Sequence, residues 1–278
     1  MYKTILVHVD AHARSAERVD AAARLAIAYG AHLIGTAPTG LSAFMFPVIA
    51  MDAGAPPIAY PIEEMRADAE LALDRFESRA RALGASSLER RRVDEEAGVD
   101  VCLQARYADL VVLGQHQAGD AAPFASPDFQ AYVVLHCARP VLVLPAAGYP
   151  GDIGTHVTVA WNGSAEAVRA ITGAIPLLQR AAQVHLVVLR KDREDDTHGE
   201  LPGADMALYL ARHGIKVEVN VVEGKDDDGN ALLSFAAGKG SDLIVMGAFG
   251  HSRLREFVLG GVTRTALQSS PIPLWMAH

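Results

Sequence analysis

The sequence predicts an α/β protein made of two tandem, doubly wound domains, each with a five-stranded parallel sheet. First, 278 residues correspond to about two domains, at roughly 150 residues per domain. Second, half of the residues are hydrophobic and 21% are charged, a composition that a disordered chain does not have. Third, short apolar runs alternate with helical patterns, as expected when helices cover both faces of a parallel sheet.

The chain contains one internal repeat. Asp109–Gly114, with the sequence DLVVLG, recurs as Asp242–Gly247, with the sequence DLIVMG, at an offset of 133 residues. Ile5–Asp10 matches Val157–Asn162 at an offset of 152 residues. The difference between the offsets means that the first repeat carries 19 additional residues between its first and fourth strands. We therefore expect two copies of one fold, joined by a short turn-forming linker.

The first predicted domain covers residues 1–146. Its strands are short apolar runs, and its helices have apolar residues at helical spacing. In chain order the predicted elements are strand Thr4–Val9, helix Glu17–Tyr29, strand His32–Thr36, helix Ile62–Leu83, strand Leu88–Glu95, helix Val99–Arg106, strand Leu110–Leu113, helix Phe129–His136 and strand Val141–Leu144.

The second predicted domain covers residues 152–278 and has the same order. Ser164 suits a helix N-cap, and Gly214 suits the position just after a helix. Pro176 is expected to kink or end its helix. In chain order the predicted elements are strand His156–Trp161, helix Glu166–Leu178, strand Val184–Leu189, helix Asp205–His213, strand Ile215–Val222, helix Asn230–Lys239, strand Asp242–Met246, helix Gly261–Gln268 and strand Leu274–Met276.

Charge and composition disfavour several classes of protein. The net charge of −8 disfavours nucleic-acid binding, and the basic run Arg90–Arg92 is followed at once by acidic residues, which is typical of a solvated strand end. No apolar run reaches the ~18 residues of a membrane-spanning helix, and the N-terminus has no signal-peptide pattern. We expect a soluble cytoplasmic protein with no membrane partner, in which Cys102 and Cys137 are buried, reduced thiols.

The additional residues of the first repeat fall mainly at Pro38–Pro61, which contains five prolines and several large apolar side chains. The segment is too long for an ordinary connection. It could be a lid over a cleft or a loop that docks a partner, and the simpler interpretation is a hydrophobic flap packed on its own domain.

The most informative motif is the glycine-rich segment Met246–Thr263, which follows a strand and begins a helix. Glycines allow backbone amides to approach a ligand closely, and Gly260–Gly261 lies at a helix N-terminus that favours an anion. His251 and Arg253 add positive charge in an acidic protein. The pattern is neither a Walker A loop nor a Rossmann fingerprint. It indicates a phosphate-bearing ligand, and the alternative is that the glycines only permit tight turns.

The spacing Gly-x2-Gly-x9-Gly, after a strand ending in Val-Met and before Val-Thr, resembles the ATP-binding signature of the universal stress protein (UspA-like) family. Because the resemblance to this family covers both repeats, the whole chain is similar to a tandem universal stress protein. The resemblance implies an adenine nucleotide alpha hydrolase-like fold, ATP as the ligand with Mg²⁺ as an accompanying ion, and association into a homodimer.

The resemblance places the nucleotide in the second repeat. There Asn162 stands where ATP-binding members usually have an Asp near the ribose and adenine, and Gly261 stands where they prefer Ser or Thr. Asn162 loses a negative charge, although its amide can still form hydrogen bonds. Gly261 lacks one hydroxyl but keeps its backbone N–H, so this change is expected to weaken binding without abolishing it. The expected contacts with adenine, ribose and phosphates are Trp161, Asn162, Leu189, Met246, Gly247, Gly250, His251, Arg253, Gly260, Gly261, Val262 and Thr263.

The first repeat lacks this loop. At the offset of 133 residues, Gly250 becomes Gln117, Gly260 becomes Pro127, Gly261 becomes Asp128, Thr263 becomes Gln130 and Arg253 becomes Asp120. A proline removes a backbone donor, and the carboxylates would repel phosphates. Asp10 is the residue that ATP-binding members of the family usually have at the end of the first strand. We nevertheless expect that the first repeat does not bind ATP in this mode.

No catalytic residue is assigned, because the sequence shows no nucleophile motif and no metal-ligand spacing. Asp226–Gly229 is expected to be a solvated turn. Two functions remain open. The chain is either a nucleotide-binding stress regulator, with at most slow ATP hydrolysis and an unidentified protein partner, or a dimerising scaffold that no longer binds nucleotide. An ATPase or kinase-like enzyme is a third possibility. In either case we expect the edge strands Val141–Leu144 and Leu274–Met276 to lie close to the contact between the repeats.

Overall fold

The computed structural model describes residues 1–12, 14–39, 62–116, 127–149, 151–190, 203–223, 228–250 and 261–278. The chain forms two compact units, Met1–Cys137 and Ala138–His278. Each alternates strands and helices around a largely parallel sheet, which confirms the predicted tandem α/β fold.

The first unit contains a parallel sheet with the strand order β3-β2-β1-β4. Strand β1 lies in the middle because the chain runs outward through β2 and β3 and then returns to the other side of β1. Its elements are β1 (Thr4–His8), α1 (Ser15–Tyr29), β2 (His32–Pro38), α2 (Ile62–Ala82), β3 (Leu88–Val93), α3 (Ala97–Ala105), β4 (Leu110–Gly114) and α4 (Pro127–His136).

The second unit has the strand order β5-β10-β9-β6-β7-β8. All of its neighbouring strands are parallel except β5, which runs antiparallel to β10. Its elements are β5 (Val141–Leu144), β6 (His156–Trp161), α5 (Ala165–Leu178), β7 (Gln183–Arg190), α6 (Ala204–Arg212), β8 (Val217–Glu223), α7 (Asp228–Gly238), β9 (Leu243–Gly247), α8 (Gly261–Ser269) and β10 (Leu274–Ala277).

The helix boundaries follow from local chemistry. Ser164 caps α5, because its Oγ accepts a hydrogen bond of 3.1 Å from the backbone N–H of Ala167. Gly214 follows α6 in the left-handed conformation, with φ of 77°, as predicted for a residue after a helix end. Helix α5 continues past Pro176 to Leu178, so the proline lies in the last turn without ending the helix.

The basic run on β3 lies against acidic residues of α2. Arg90 forms ion pairs with Glu70, Asp74 and Glu77, at distances between 2.7 and 3.3 Å, and Arg92 pairs with Glu70 at 3.3 Å. These side chains are partly exposed, so each pair contributes little to stability by itself. The pairs nevertheless neutralise the run, which therefore does not form an isolated basic patch.

Strands β5 and β10 form the predicted contact between edge strands. Val141 lies opposite Met276, and Val143 lies opposite Leu274, in antiparallel register. Although β5 belongs to the first sequence repeat, it lies within the second compact unit. The indole of Trp275 is fully buried, and its Nε1 donates a 3.1 Å hydrogen bond to the carbonyl of Ala170 in α5.

Cys102 and Cys137 are both buried, as expected. Burial is the largest cause that raises the pKa of the Cys102 thiol, to about 12, so this side chain is an unreactive thiol at neutral pH. None of the helices in the described residues is long and apolar enough to cross a membrane. Residues 40–61, which make up most of the predicted Pro38–Pro61 segment, and Asp226 and Asp227 lie outside the described residues.

Candidate functional site

The candidate site of the second unit lies where the order of its strands reverses. Strands β6 and β9 are neighbours in the sheet, although β7 and β8 separate them along the chain. In open α/β sheets, ligands bind beyond the carboxyl ends of the strands at such a point. Trp161 ends β6 and Gly247 ends β9, so both flank this crevice.

The structure describes nine of the twelve predicted ligand contacts. His251, Arg253 and Gly260 lie outside the described residues. The others lie at strand ends or at the start of α8. Trp161, Leu189 and Gly247 are half-buried, Met246 and Thr263 are buried, Asn162, Gly250 and Gly261 are exposed, and Val262 is half-buried.

Asn162 holds the turn between β6 and α5. Its Oδ1 accepts a hydrogen bond of 3.1 Å from the backbone N–H of Ser164. This local bond leaves the side-chain amide N–H groups as the donors that Asn162 can offer to a ligand. Asn162 is therefore uncharged and can donate hydrogen bonds to a ligand, whereas an ionised aspartate can only accept them.

Gly247 is required for packing. A Cβ at this position would lie 2.5 Å from the backbone nitrogen of Ala167 and 2.9 Å from the Cβ of Glu166. The start of α5 therefore approaches the end of β9 more closely than any other residue type would permit. The first glycine of the loop thus has a structural role that is independent of any ligand.

Glu166 brings a carboxylate to the same place, although no sequence pattern singles this residue out. Its side chain is only 1% exposed, and its Oε1 accepts a 2.9 Å bond from Arg169. A Cβ built on Gly250 would lie 3.8 Å from Glu166 Oε2. A negative charge therefore lies beneath the first two glycines of the loop, in the first turn of α5, where the helix dipole favours it.

Thr263 and Phe249 connect the end of β9 to α8. The backbone N–H of Phe249 donates to Thr263 Oγ1 at 3.3 Å, and Phe249 has a φ of 57°, in the left-handed region that residues other than glycine rarely adopt. The Thr263 hydroxyl therefore supports a strained turn, and its own hydrogen remains the donor that could reach a ligand.

The start of α8 is sterically open with respect to the described residues. None of their atoms lies within 4 Å of a Cβ built on Gly261, which is the first residue of this helix. The first N–H groups of a helix have no partner within the helix and attract anions. This geometry agrees with the phosphate position that the motif indicates.

In the first unit, the corresponding crevice between β1 and β4 holds the side chain of Arg18. Its Nη2 lies 2.6 Å from Asp10 Oδ1, and its Nε donates to the carbonyl of His8 at 3.1 Å. A Cβ on Gly114 would lie 2.5 Å from Arg18 Nη1. The guanidinium therefore fills the place next to the last residue of β4.

Two further side chains close this crevice. The amide of Gln130 donates to the carbonyl of Gly114 at 2.9 Å, and the ring of Phe129 lies 5.3 Å from that of His8. Gln130 stands where the second repeat has Thr263. Side chains of the protein itself thus contact the ends of β1 and β4, which favours the prediction that the first repeat does not bind ATP.

The buried groups of this cluster have shifted pKa values. Burial lowers the pKa of His8 to about 4, against the opposing effect of Asp10. Burial tends to raise the pKa of Asp10, but the positive charge of Arg18, with His8 and the hydrogen bonds to the carboxylate, outweighs it, and the pKa is lowered. At neutral pH the cluster is therefore an Arg–Asp ion pair beside a neutral histidine.

The model of the universal stress protein family matches this chain twice, at residues 1–145 and 155–278. The chain belongs to the universal stress protein family. Universal stress protein Slr1230 of Synechocystis is 29% identical over 171 residues, which are 60% of this chain and 56% of that relative. The matched part thus spans about half the length of the curated relative.

Solved universal stress proteins share the architecture. A universal stress protein from Archaeoglobus fulgidus DSM 4304 has a TM-score of 0.76 at 18% identity, covering 99% of this chain and 97% of that one. A shorter Archaeoglobus fulgidus universal stress protein, solved in complex with dAMP, is 22% identical, covers 51% of this chain and 97% of its own, and has a TM-score of 0.36. At 18% identity, the likeness to the first of these structures concerns the fold alone.

Proposed function

We propose that this universal stress protein is a stress-response regulator that binds an adenine nucleotide in the crevice of its second half. The observation that carries the proposal is the open N-terminus of α8 at Gly261, which follows the glycine turn after β9 at the point where the strand order reverses. Free N–H groups and a helix dipole at that place suit a phosphate.

The remaining residues suit a bound nucleotide without suggesting turnover. Trp161 and Leu189, both half-buried at neighbouring strand ends, offer apolar surface and backbone groups to a base. Among the described residues, no group of three or more His, Cys, Asp or Glu could hold a metal ion. We expect any Mg²⁺ to bind together with the phosphates. The proposed role is that of a cytoplasmic homodimer whose choice of protein partner depends on the bound ligand.

Titration calorimetry of the full-length protein with adenosine, AMP, ADP and ATP tests the proposal. Gly261→Val is the informative variant, because its Cβ would meet none of the described residues within 4 Å, while its side chain would stand in front of the α8 amides. Gly238→Val is the matched control, because a Cβ on Gly238, the last residue of α7, would also meet none of the described residues within 4 Å.

We expect heat of binding from the wild type and from Gly238→Val, and a loss of at least tenfold in affinity for phosphate-bearing ligands in Gly261→Val. If none of the four ligands binds the wild type, the proposal is wrong, and the chain is better described as a scaffold. Equal affinity of Gly261→Val and wild type for ATP would exclude the α8 N-terminus as the phosphate site.

A further inference from the structure

We infer that His185 is a proton-sensitive residue that controls how firmly α7 is held on the sheet of the second unit. The inference goes beyond the proposed nucleotide site and does not depend on it. It rests on the position of one buried imidazole beneath the C-terminal half of α7, and on the charged groups around that ring.

His185 lies on the covered face of the sheet. The residue is 1% exposed, and in the register of the sheet it stands between Thr158 of β6 and Glu218 of β8. The ring of Phe235, in α7, lies edge-on above it, with the ring centroids 6.1 Å apart and the ring planes at 81°. Because α7 covers the imidazole, water reaches it only if this helix moves.

One ring nitrogen of His185 is left without a hydrogen bond. Its Nδ1 is buried and forms no hydrogen bond with any of the described residues. The hydroxyl of the neighbouring Thr158 is used in a 2.8 Å bond with Ser241, and the carboxylate Oε2 of Glu218 lies 3.5 Å from Nδ1. A neutral imidazole is tolerated in such surroundings, whereas a buried imidazolium without a good hydrogen bond is costly.

The surrounding charges also oppose protonation while α7 is in place. The titratable groups that face the ring are Glu218 of β8, Lys239 just after α7, and His156 of β6. Lys239 Nζ already lies 3.2 Å from Glu218 Oε1, so a protonated His185 would be a second cation at the same carboxylate. Burial is the largest cause that lowers the pKa of His185, and Lys239 adds to it against the opposing effect of Glu218.

The first unit shows that the fold does not require polar groups at this place. At the offset of 152 residues Thr158 corresponds to Leu6, and Leu6 lies opposite Ile34 in the sheet as Thr158 lies opposite His185. Leu6 and Ile34 are both buried. Because an apolar pair fills the same position in the same fold, the polar pair of the second repeat is not a requirement of the architecture and points to another role.

The direction of the effect follows from the exposure of the ring. If α7 moves away from β7, water reaches His185 and its pKa returns toward the ordinary value of 6.5. The open arrangement then binds a proton more readily than the closed one, so a pH below 6.5 favours opening. The change reaches α8 as well, because a Cβ on Gly229 of α7 would lie 2.6 Å from the Cβ of Thr265 in that helix.

Hydrogen exchange of the full-length protein, corrected for the intrinsic effect of pH, measures this opening. Between about pH 7.5 and about pH 5.5 we expect the protection of α7 to fall by up to about tenfold, the factor that linkage gives for a group with an ordinary pKa of 6.5 that stays neutral in the closed state. Helix α5 of the same unit is the internal reference and should change less than about twofold.

His185→Ile introduces the residue type that the first repeat has at this position and should make the protection of α7 independent of pH. His136→Gln, which removes an exposed histidine of α4, is the matched control and should leave the response of α7 as in the wild type.

Two charge variants separate proton sensing from structural support. Lys239→Met should raise the pKa of His185 and Glu218→Gln should lower it, so the pH at which α7 loses protection should move in opposite directions. The midpoint of the His185 ring signal in an NMR titration should move in the same way. These two variants test the inference even if His185→Ile does not fold.

An undiminished pH response of α7 in His185→Ile would overturn the inference. Equal loss of protection in α5 and α7 would overturn it too, because it would indicate unfolding of the whole unit. Midpoints that move in the same direction in Lys239→Met and Glu218→Gln would assign these charges a structural role only and would likewise overturn it.

Discussion

Replacing Arg18 by methionine is expected to destabilise the first unit by about 3 kcal/mol. The change removes a buried guanidinium, 6% exposed, from the Asp10 carboxylate, which is 15% exposed. Removal of one partner of a buried ion pair costs about 3–5 kcal/mol, because the other charge stays buried without compensation. The residual exposure of Asp10 places the expected loss at the lower end of this range, and methionine keeps the apolar stem that packs in α1.

Equilibrium unfolding in urea at pH 7 measures the loss. If the cost comes from the stranded carboxylate, Asp10→Asn in the Arg18→Met background should recover about 2 kcal/mol, so the two substitutions are not additive. Arg66→Met is the control, because its pair with Asp94 is 36% and 40% exposed and should contribute less than about 1 kcal/mol. A loss below about 1 kcal/mol in Arg18→Met, or strict additivity with Asp10→Asn, would refute the reasoning.

Three further predictions concern other sites. The pKa of His8 is lowered from 6.5 to about 4, so between these pH values the unfolded chain binds a proton that the folded protein does not. The free energy of unfolding should therefore fall by about 3 kcal/mol as the pH decreases from 6.5 to 4. In urea unfolding measured across this pH range, His8→Leu should flatten the profile. Gly247→Ala should lower the free energy of unfolding by about 2 kcal/mol, because its Cβ would overlap the backbone of Ala167. A change of less than about 0.5 kcal/mol in chemical denaturation, as for a neutral surface substitution, would contradict this close approach. A Cβ on Gly261 would meet none of the described residues within 4 Å, so Gly261→Ser should add about 0.5 kcal/mol of stability through its higher helix propensity and raise the melting temperature slightly. A lower melting temperature would contradict this.

Most of the fold could be predicted because its signals are local. Every described strand and helix begins and ends within two residues of the predicted bounds. The apolar runs of the strands, the Ser164 cap and the left-handed Gly214 each depend on a few neighbouring residues. The proximity of β5 and β10 could also be predicted from the sequence, because an exposed edge of a sheet tends to pair with another strand.

The candidate site was predicted less well, because its chemistry depends on contacts across the chain. Glu166 looks like an ordinary acidic residue in a first helical turn, but it is buried and packs closely against Gly247, 81 positions later in the chain. The role of Gly247 in packing was missed for the same reason.

The Arg18–Asp10 pair had a signal in the repeat itself. At the offset of 152 residues, Asp10 becomes Asn162 and Arg18 becomes Ala170, so both charges are present in the first repeat and both are absent from the second. Two positions that gain and lose opposite charges together are expected to be in contact. A comparison of the repeats position by position would therefore have found the ion pair from the sequence.

The pairing of β5 with β10 determines where the chain can be divided. The second family match begins at residue 155, yet the compact unit that contains it begins at Ala138. A fragment started at the linker would lose Val141–Leu144 and expose the backbone amides and carbonyls along one side of β10. Such a bare strand is a template for another chain, so we expect fragments of this half that are cut at the linker to self-associate.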